Sequence, residues 1–166
     1  LSKAMDTAIH TLTEAGLAIQ RDYVPALNRE MSDILSMITD KRYSDLKADD
    51  SLTLKLQPPE GVQEVFPDQL SSGTMDQVYF ALRLAAVRLV EKKGERLPLF
   101  LDEPFAQYDE ERARKALLLL AQESKNRQIL LFTCKKREVE LVTELFQDEP
   151  PRILYLNDTS GVFPEQ

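Results

Sequence analysis

Two short apolar runs, Leu97–Leu101 and Gln128–Thr133, flank a helical stretch, Glu110–Glu123, with Leu117–Leu120 at its heart. A strand without polar alternation has no side to show to water, so it belongs in a sheet covered on both faces. Strands joined by helices pair in parallel. The alternation continues outward in both directions. Met75, Val78, Tyr79, Leu82, Ala86 and Leu89 stripe a long helix before the first run, and a helix Val139–Phe146 and a last strand Ile153–Leu156 follow the second. The expected fold class is α/β, a mostly parallel sheet flanked by helices.

Upstream the periods differ. Leu1, Met5, Ala8, Leu12, Ala15 and Ile19 recur in steps of four and three, the seam of a coiled coil or the buried stripe of a plain amphipathic helix. Pro25 is expected to interrupt this helix, after which a second one buries Leu27, Met31, Ile34 and Ile38. Leu52, Leu54 and Leu56 then alternate with Thr53 and Lys55, a half-buried strand. Ala48-Asp49-Asp50-Ser51 makes the turn to a partner strand at Tyr43–Lys47. Pro58-Pro59-Glu60-Gly61 closes the hairpin, and Val62–Phe66 adds a further short strand. The expected division is a helical arm over 1–24 and an α/β lobe over 25–166.

A chain of 166 residues, 43% hydrophobic, can bury one sizeable core. Its formal charge of -7 argues against a general nucleic-acid-binding surface on this piece. No apolar run approaches the roughly 18 residues that cross a bilayer. One cysteine, Cys134, leaves no internal disulfide framework and fits a reducing, cytoplasmic setting. A chain that opens on Leu1 inside a helical pattern reads as a piece of something longer.

Two segments carry chemistry. Asp102-Glu103 follows the first apolar strand, at the carboxyl edge where parallel sheets bind ligands. An aspartate there can hold Mg²⁺, which prefers hard oxygen ligands, and the adjacent glutamate can deprotonate a water attacking a γ-phosphate. The bland alternative is a turn cap beside a solvated acid. Leu70-Ser71-Ser72-Gly73-Thr74 opens the long helix, whose unpaired N–H groups and partial positive charge suit phosphate. Its bland alternative is an ordinary serine cap, or a capping box between Thr74 and Gln77.

Taken in order, these segments resemble the signature and Walker B motifs of ABC-type ATPases. Pro104-Phe105-Ala106-Gln107-Tyr108-Asp109 is similar to the D-loop, and Phe132-Thr133-Cys134-Lys135 stands where that series has its switch loop. Tyr79-Phe80-Ala81-Leu82-Arg83-Leu84-Ala85 resembles the C-terminal ATPase lobe of the SMC-like DNA-repair group, SbcC and the YhaN-type ATPases included. So does Tyr23-Val24-Pro25-Ala26-Leu27-Asn28 leading through Ile38-Thr39 to Arg42-Tyr43. The likeness runs from about Tyr23 to Leu145.

The resemblance implies roles residue by residue. Asp102 matches the Mg²⁺-associated aspartate and Glu103 the catalytic glutamate. Ser71 and Gly73 match residues that grip the γ-phosphate of ATP held by an opposite protomer, and Asp109 matches an aspartate at the dimer seam. Arg83 lies where the family couples the signature helix to lobe motion, or is a surface arginine. Lys135 replaces a switch histidine, either as a phosphate contact or as a solvated loop residue. Ser72 replaces the first glycine of the commoner signature pair.

The glycines at 16, 61, 73, 94 and 161 form no G-x-x-x-x-G-K-[ST] loop, and the resemblance implies that the phosphate cradle lies in an N-terminal lobe of the same protein. The implied machine is half of an SMC/SbcC-like head that acts in a head–head homodimer with ATP and Mg²⁺. DNA would be engaged by the full-length protein, an SbcD-like nuclease is a candidate partner, and no membrane is involved. The rivals are an ABC-fold interaction module without catalysis, which the Lys135 departure favours, and a transporter-type ABC subunit, which the heptad arm disfavours.

Overall fold

The computed structural model describes residues 2–43, 45–49, 53–57, 64–91 and 96–156. The chain divides into two compact units, Leu1–Thr133 and Cys134–Gln166. The first holds helix α1 (Ser2–Ile38), strands β1 (Asp45–Ala48) and β2 (Leu54–Gln57), a 3₁₀ turn (Pro67–Gln69), helix α2 (Ser72–Val90), strand β3 (Leu99–Asp102), helix α3 (Glu110–Ser124) and strand β4 (Ile129–Phe132). The second holds helix α4 (Lys136–Leu145). No helix among the described residues is long and apolar enough to cross a membrane.

Pro25 does not interrupt the first helix, contrary to the sequence expectation. α1 runs unbroken for 37 residues with Pro25 inside it. A proline removes one helix hydrogen bond and crowds the preceding turn. Pro25 is exposed, so water can pair with the carbonyl it frees. The halves of α1 differ in environment. Met5, Ile9, Leu12 and Leu17 are exposed, whereas Met31, Ile34, Leu35 and Ile38 are fully buried. α1 ends in a turn in which Asp40 and Lys41 both take positive φ, 52° and 61°. The Lys41 amide donates to the Ser36 carbonyl at 2.8 Å, a Schellman-type closure.

The expected hairpin forms. β1 and β2 pair antiparallel, with Leu46 opposite Leu56 and Ala48 opposite Leu54. Every second residue of an edge strand points its amide and carbonyl outward. Here α1 supplies side chains in place of a further strand. Ser32 Oγ donates to the Leu46 carbonyl and accepts from its amide, both at 3.0 Å. Asn28, one turn earlier, does the same for Ala48 at 3.1 and 2.7 Å. On the other edge Leu56 bridges Val65, the described part of the expected Val62–Phe66 strand. Leu52 and the Pro58-Pro59-Glu60-Gly61 turn lie outside the described residues.

β3 and β4 pair in parallel, Leu99 with Ile129 through Asp102 with Phe132. The expected cover on both faces is not found. Leu99 and Leu101 are buried, but Phe100 is 64% and Phe132 43% exposed on the opposite face. The described parallel sheet has two strands. Among the described residues the helices of the first unit cover one side, and the face that carries Phe100 and Phe132 stays exposed. The expected last strand, Ile153–Leu156, is irregular and exposed. A strand exists through its ladder, and no described strand pairs with this segment.

A partly buried charge network joins the helices of the first unit. The Arg88 guanidinium on α2 reaches Glu30 on α1 at 2.9 Å and Glu123 on α3 at 2.6 Å. Arg127, its side chain fully buried, grips Glu91 through two bonds of 2.6 and 2.9 Å and Glu123 at 3.1 Å. Burial alone would lower the Arg88 pKa, but its hydrogen bonds to Glu30 and Glu123 raise it overall. Burial likewise pushes Glu91 upward, and Arg96, the Leu97 amide and Arg127 more than reverse this, so its carboxyl titrates below the usual value.

A depressed carboxyl pKa contributes stability above its unfolded value, 4.5, and loses it as pH falls through the folded value. The thermal midpoint is therefore expected to fall on acidification below about pH 4.5. Glu91→Gln should cost about 3 kcal/mol at pH 7, because it leaves Arg127 buried and underpaired. It should also lose less stability than the parent between pH 7 and pH 3. Chemical denaturation at both pH values checks the pair of effects.

Candidate functional site

The site is built at the carboxyl edge of β3. Parallel pairing sends both strands out at the same edge, so Asp102, Glu103 and Thr133 emerge together. The Glu103 amide donates to the Phe132 carbonyl at 2.9 Å, extending the ladder by one rung. Glu103 then turns the chain with φ of 44°. The left-handed region costs a non-glycine residue on the order of 1 kcal/mol, and such strain persists where surrounding contacts impose it. Thr133 Oγ1 donates to the Glu103 carboxylate at 3.4 Å. Asp102 is exposed and Glu103 half-buried, so the pair offers one solvent-facing carboxylate and one held by its neighbours.

The chain next makes two tight turns. The Ala106 amide donates to the Glu103 carbonyl at 3.2 Å, and the Tyr108 amide to that of Phe105 at 3.0 Å. Phe105 is fully buried between Phe80 and Tyr108, with ring centroids 5.9 and 5.4 Å away. Burial, reinforced by the Asp76 carboxylate, pushes the Tyr108 phenol well above its ordinary pKa. The loop ends at Asp109, which caps α3 by accepting from the Arg112 amide at 2.8 Å and pairs with the Arg112 guanidinium at 3.2 Å.

The serine turn packs against this loop. Ser71 is the N-cap of α2, accepting from the Thr74 amide at 3.3 Å, and its hydroxyl lies 2.9 Å from that of Thr74. The capping box between Thr74 and Gln77 does not form, because the helix begins three residues earlier and Gln77 is buried. Gly73 is also buried. A Cβ built on it would lie 2.9 Å from the Gln107 carbonyl oxygen and 3.2 Å from the Arg112 guanidinium. Only glycine permits that approach, and it locks the serine turn onto the loop that follows Asp102-Glu103.

Of the residues singled out in the sequence, the first unit thus brings Gly73, Glu103 and Asp109 into one continuous structure, with Ser71 and Asp102 at its margins. Arg83 is not part of it. It is exposed and ten residues along α2 from Gly73, about 15 Å at 1.5 Å per residue. Lys135 belongs to the second unit, where it precedes α4 as its N-cap and makes no side-chain capping bond. Sequence reasoning missed Gln77 as a buried group, Arg88 as the link to α1, and Thr133 as a Glu103 partner. Only Thr133 carried a signal, its place after a strand beside another strand's acids.

A cavity of about 420 Å³ lies where the α1 exit turn meets α3, lined by Arg42, Tyr43, Asp109 and Lys115 among others. Its charges neutralise one another. Lys115 pairs with Asp40 and Glu111, and Arg112 with Asp109. It therefore offers no surplus charge for a polyphosphate. Among the described residues no cluster of three or more His, Cys, Asp or Glu forms a metal cage. Mg²⁺ in phosphate-bearing sites needs none, since one or two carboxylates, waters and the phosphates complete its shell. Asp102 suits that arrangement.

No protein-family model matches the sequence. The uncharacterized protein YhaN of Bacillus subtilis (strain 168) is 44% identical over 69 residues, 40% of this chain. The chain spans 7% of the length of that relative. Among solved structures, one described as "Structural biochemistry of ATP-driven dimerization and DNA stimulated activation of SMC ATPases" matches with a TM-score of 0.68 and 16% identity, covering 89% of this chain and 85% of that one. The Smc head domain of Pyrococcus furiosus, with an extended coiled coil and bound to the C-terminal domain of ScpA, matches at 0.58 and 17%, covering 82% and 35%. The SMC head domain of Thermotoga maritima matches at 0.53 and 20%, covering 77% and 44%. The α1 arm, the hairpin and the parallel strands followed by the Glu103–Asp109 loop are together the fold of an SMC-like head lobe.

Proposed function

We propose that this chain is the C-terminal half of an SMC/SbcC-like ATPase head, which binds and hydrolyses ATP with Mg²⁺ in a head–head dimer. The observation that carries the reading is the seat of Gly73 on Gln107. It brings the exposed Ser71 hydroxyl and the exposed Asp109 carboxylate onto one continuous surface, while the loop between them begins at Glu103. In this reading one edge would offer Ser71 and Gly73 to the nucleotide of a second protomer and Glu103 to its own.

In this mechanism Ser71 Oγ and the first amides of α2 donate to the γ-phosphate carried by the opposite head. Asp102 would hold a magnesium ion, which when bound would neutralise phosphate charge. Glu103, fixed by Thr133 and its strained backbone, orients the attacking water and accepts its proton. Lys135 adds a point charge toward the phosphates, and Arg83 couples α2 to lobe motion. The lysine loop comes from an N-terminal lobe of the same protein. Support for that lobe includes the open Phe100 and Phe132 face, since an apolar sheet face of this kind marks a docking surface. The exposed first half of α1 is the end of a coiled-coil arm. The proposed setting is DNA repair or chromosome maintenance in the cytoplasm, with an SbcD-like nuclease as the partner to seek. It rests on the SMC-like fold and the YhaN match.

The test uses a head carrying both lobes. Glu103→Gln keeps the side-chain size but removes the base, so the variant should accumulate as an ATP-bound dimer by light scattering. Ser71→Arg should bind ATP yet stay monomeric. Hydrolysis at the parental rate by Glu103→Gln, or normal dimerisation by Ser71→Arg, contradicts the assigned roles. Gly73→Ala gains about 1 kcal/mol of helix propensity. It loses about 2 kcal/mol by forcing a methyl against a main-chain oxygen. The net expectation is a lobe destabilised by about 1 kcal/mol that dimerises more weakly, read by urea unfolding and the same scattering assay.

A further inference from the structure

Gln77 stands one helical turn beyond Gly73 and three residues before Phe80, so the three share a face of α2. Both neighbours rest on the Glu103–Asp109 loop. Gly73 abuts the Gln107 carbonyl, and the Phe80 ring packs on Phe105. Gln77, between them, is fully buried, and neither its amide oxygen nor its amide nitrogen has a hydrogen-bond partner among the described residues. Its two amide donors and its acceptor find no protein partner in this position, and a buried polar group in that state is costly. Methionine would fill similar volume without that penalty. A buried polar group left in this state calls for a physical reason.

We propose that Gln77 is a positioning residue for the loop: its amide hydrogen-bonds the loop main chain in a second loop position, adopted as two heads close on nucleotide. The loop is suited to such a shift. It contains two short turns, and its ends are a strained Glu103 and the Asp109 cap. A movement that satisfies Gln77 displaces the catalytic carboxylate's anchor and the seam aspartate together. The resting lobe bears the cost and the closed dimer recovers it, so Gln77 biases the loop toward closure. The trigger rests on the ATPase-head reading; the second loop position does not.

Gln77→Met separates the two states. In this 166-residue chain the variant should unfold at a higher temperature than the parent. Relaxation dispersion should show the Ala106 and Tyr108 amides exchanging with a minor state in the parent and not in the variant. In the two-lobed head with Mg-ATP, the variant should dimerise about thirtyfold more weakly, the worth of roughly one hydrogen bond in each protomer. A residue that matters only for packing would shift stability and dimerisation in the same direction. The proposal is overturned by a lower unfolding temperature, by parent loop amides without exchange, or by unchanged exchange in the variant. A parent head that fails to dimerise with ATP contradicts the ATPase-head reading instead, and the loop measurements still judge Gln77.

Discussion

Arg88 and Arg127, held between Glu30, Glu91 and Glu123, fix the arrangement on which the site depends. Each buried ion must offset a desolvation cost of several kcal/mol, so the network adds little net stability over apolar packing. Its contribution is register. Arg88 can reach Glu30 and Glu123 together only when α1, α2 and α3 meet at one relative height. Arg127 and Arg96 converge on Glu91 at the end of α2 and so set where the chain enters β3. Both N-termini that matter, those of α2 and α3, are placed from this anchor.

From there the absence of a side chain at Gly73 completes the site. The charge network orients α2 against α3 at their far ends, and the glycine lets their near ends close until the serine turn touches the loop. A single loop then links a strained carboxylate, a buried aromatic pair and a helix cap. In the proposed head, motion at Asp109 and motion at Glu103 would be coupled through this loop, and Glu30 would pass it to α1. This is how nucleotide closure would reach the arm.

Much of this was legible in the sequence. The apolar stripe of α2, the apolar runs of β3 and β4 and the two-residue period of the hairpin are local signals, and each produced its element within a few residues. Pro25 misled because its cost depends on exposure, a tertiary property. Ile153–Leu156 misled because β-propensity cannot supply a pairing partner. The open face of β3 was hidden for a related reason: an apolar run shows that cover is needed without showing which chain provides it. Within the site, Ser71, Asp102, Glu103 and Asp109 could be singled out from motif order. Arg88 could not, because its partners Glu123 and Glu30 lie 35 and 58 residues away, and Gln77 could not, because its burial is a tertiary property.

If this chain holds half of a nucleotide site, titration calorimetry with Mg-ATP will show it. The chain alone should bind more weakly than about 100 μM, roughly -5.5 kcal/mol, and release no phosphate. The same chain joined to the lobe that carries the lysine loop should bind in the micromolar range and turn ATP over. Micromolar binding or steady phosphate release by the chain alone would contradict the account.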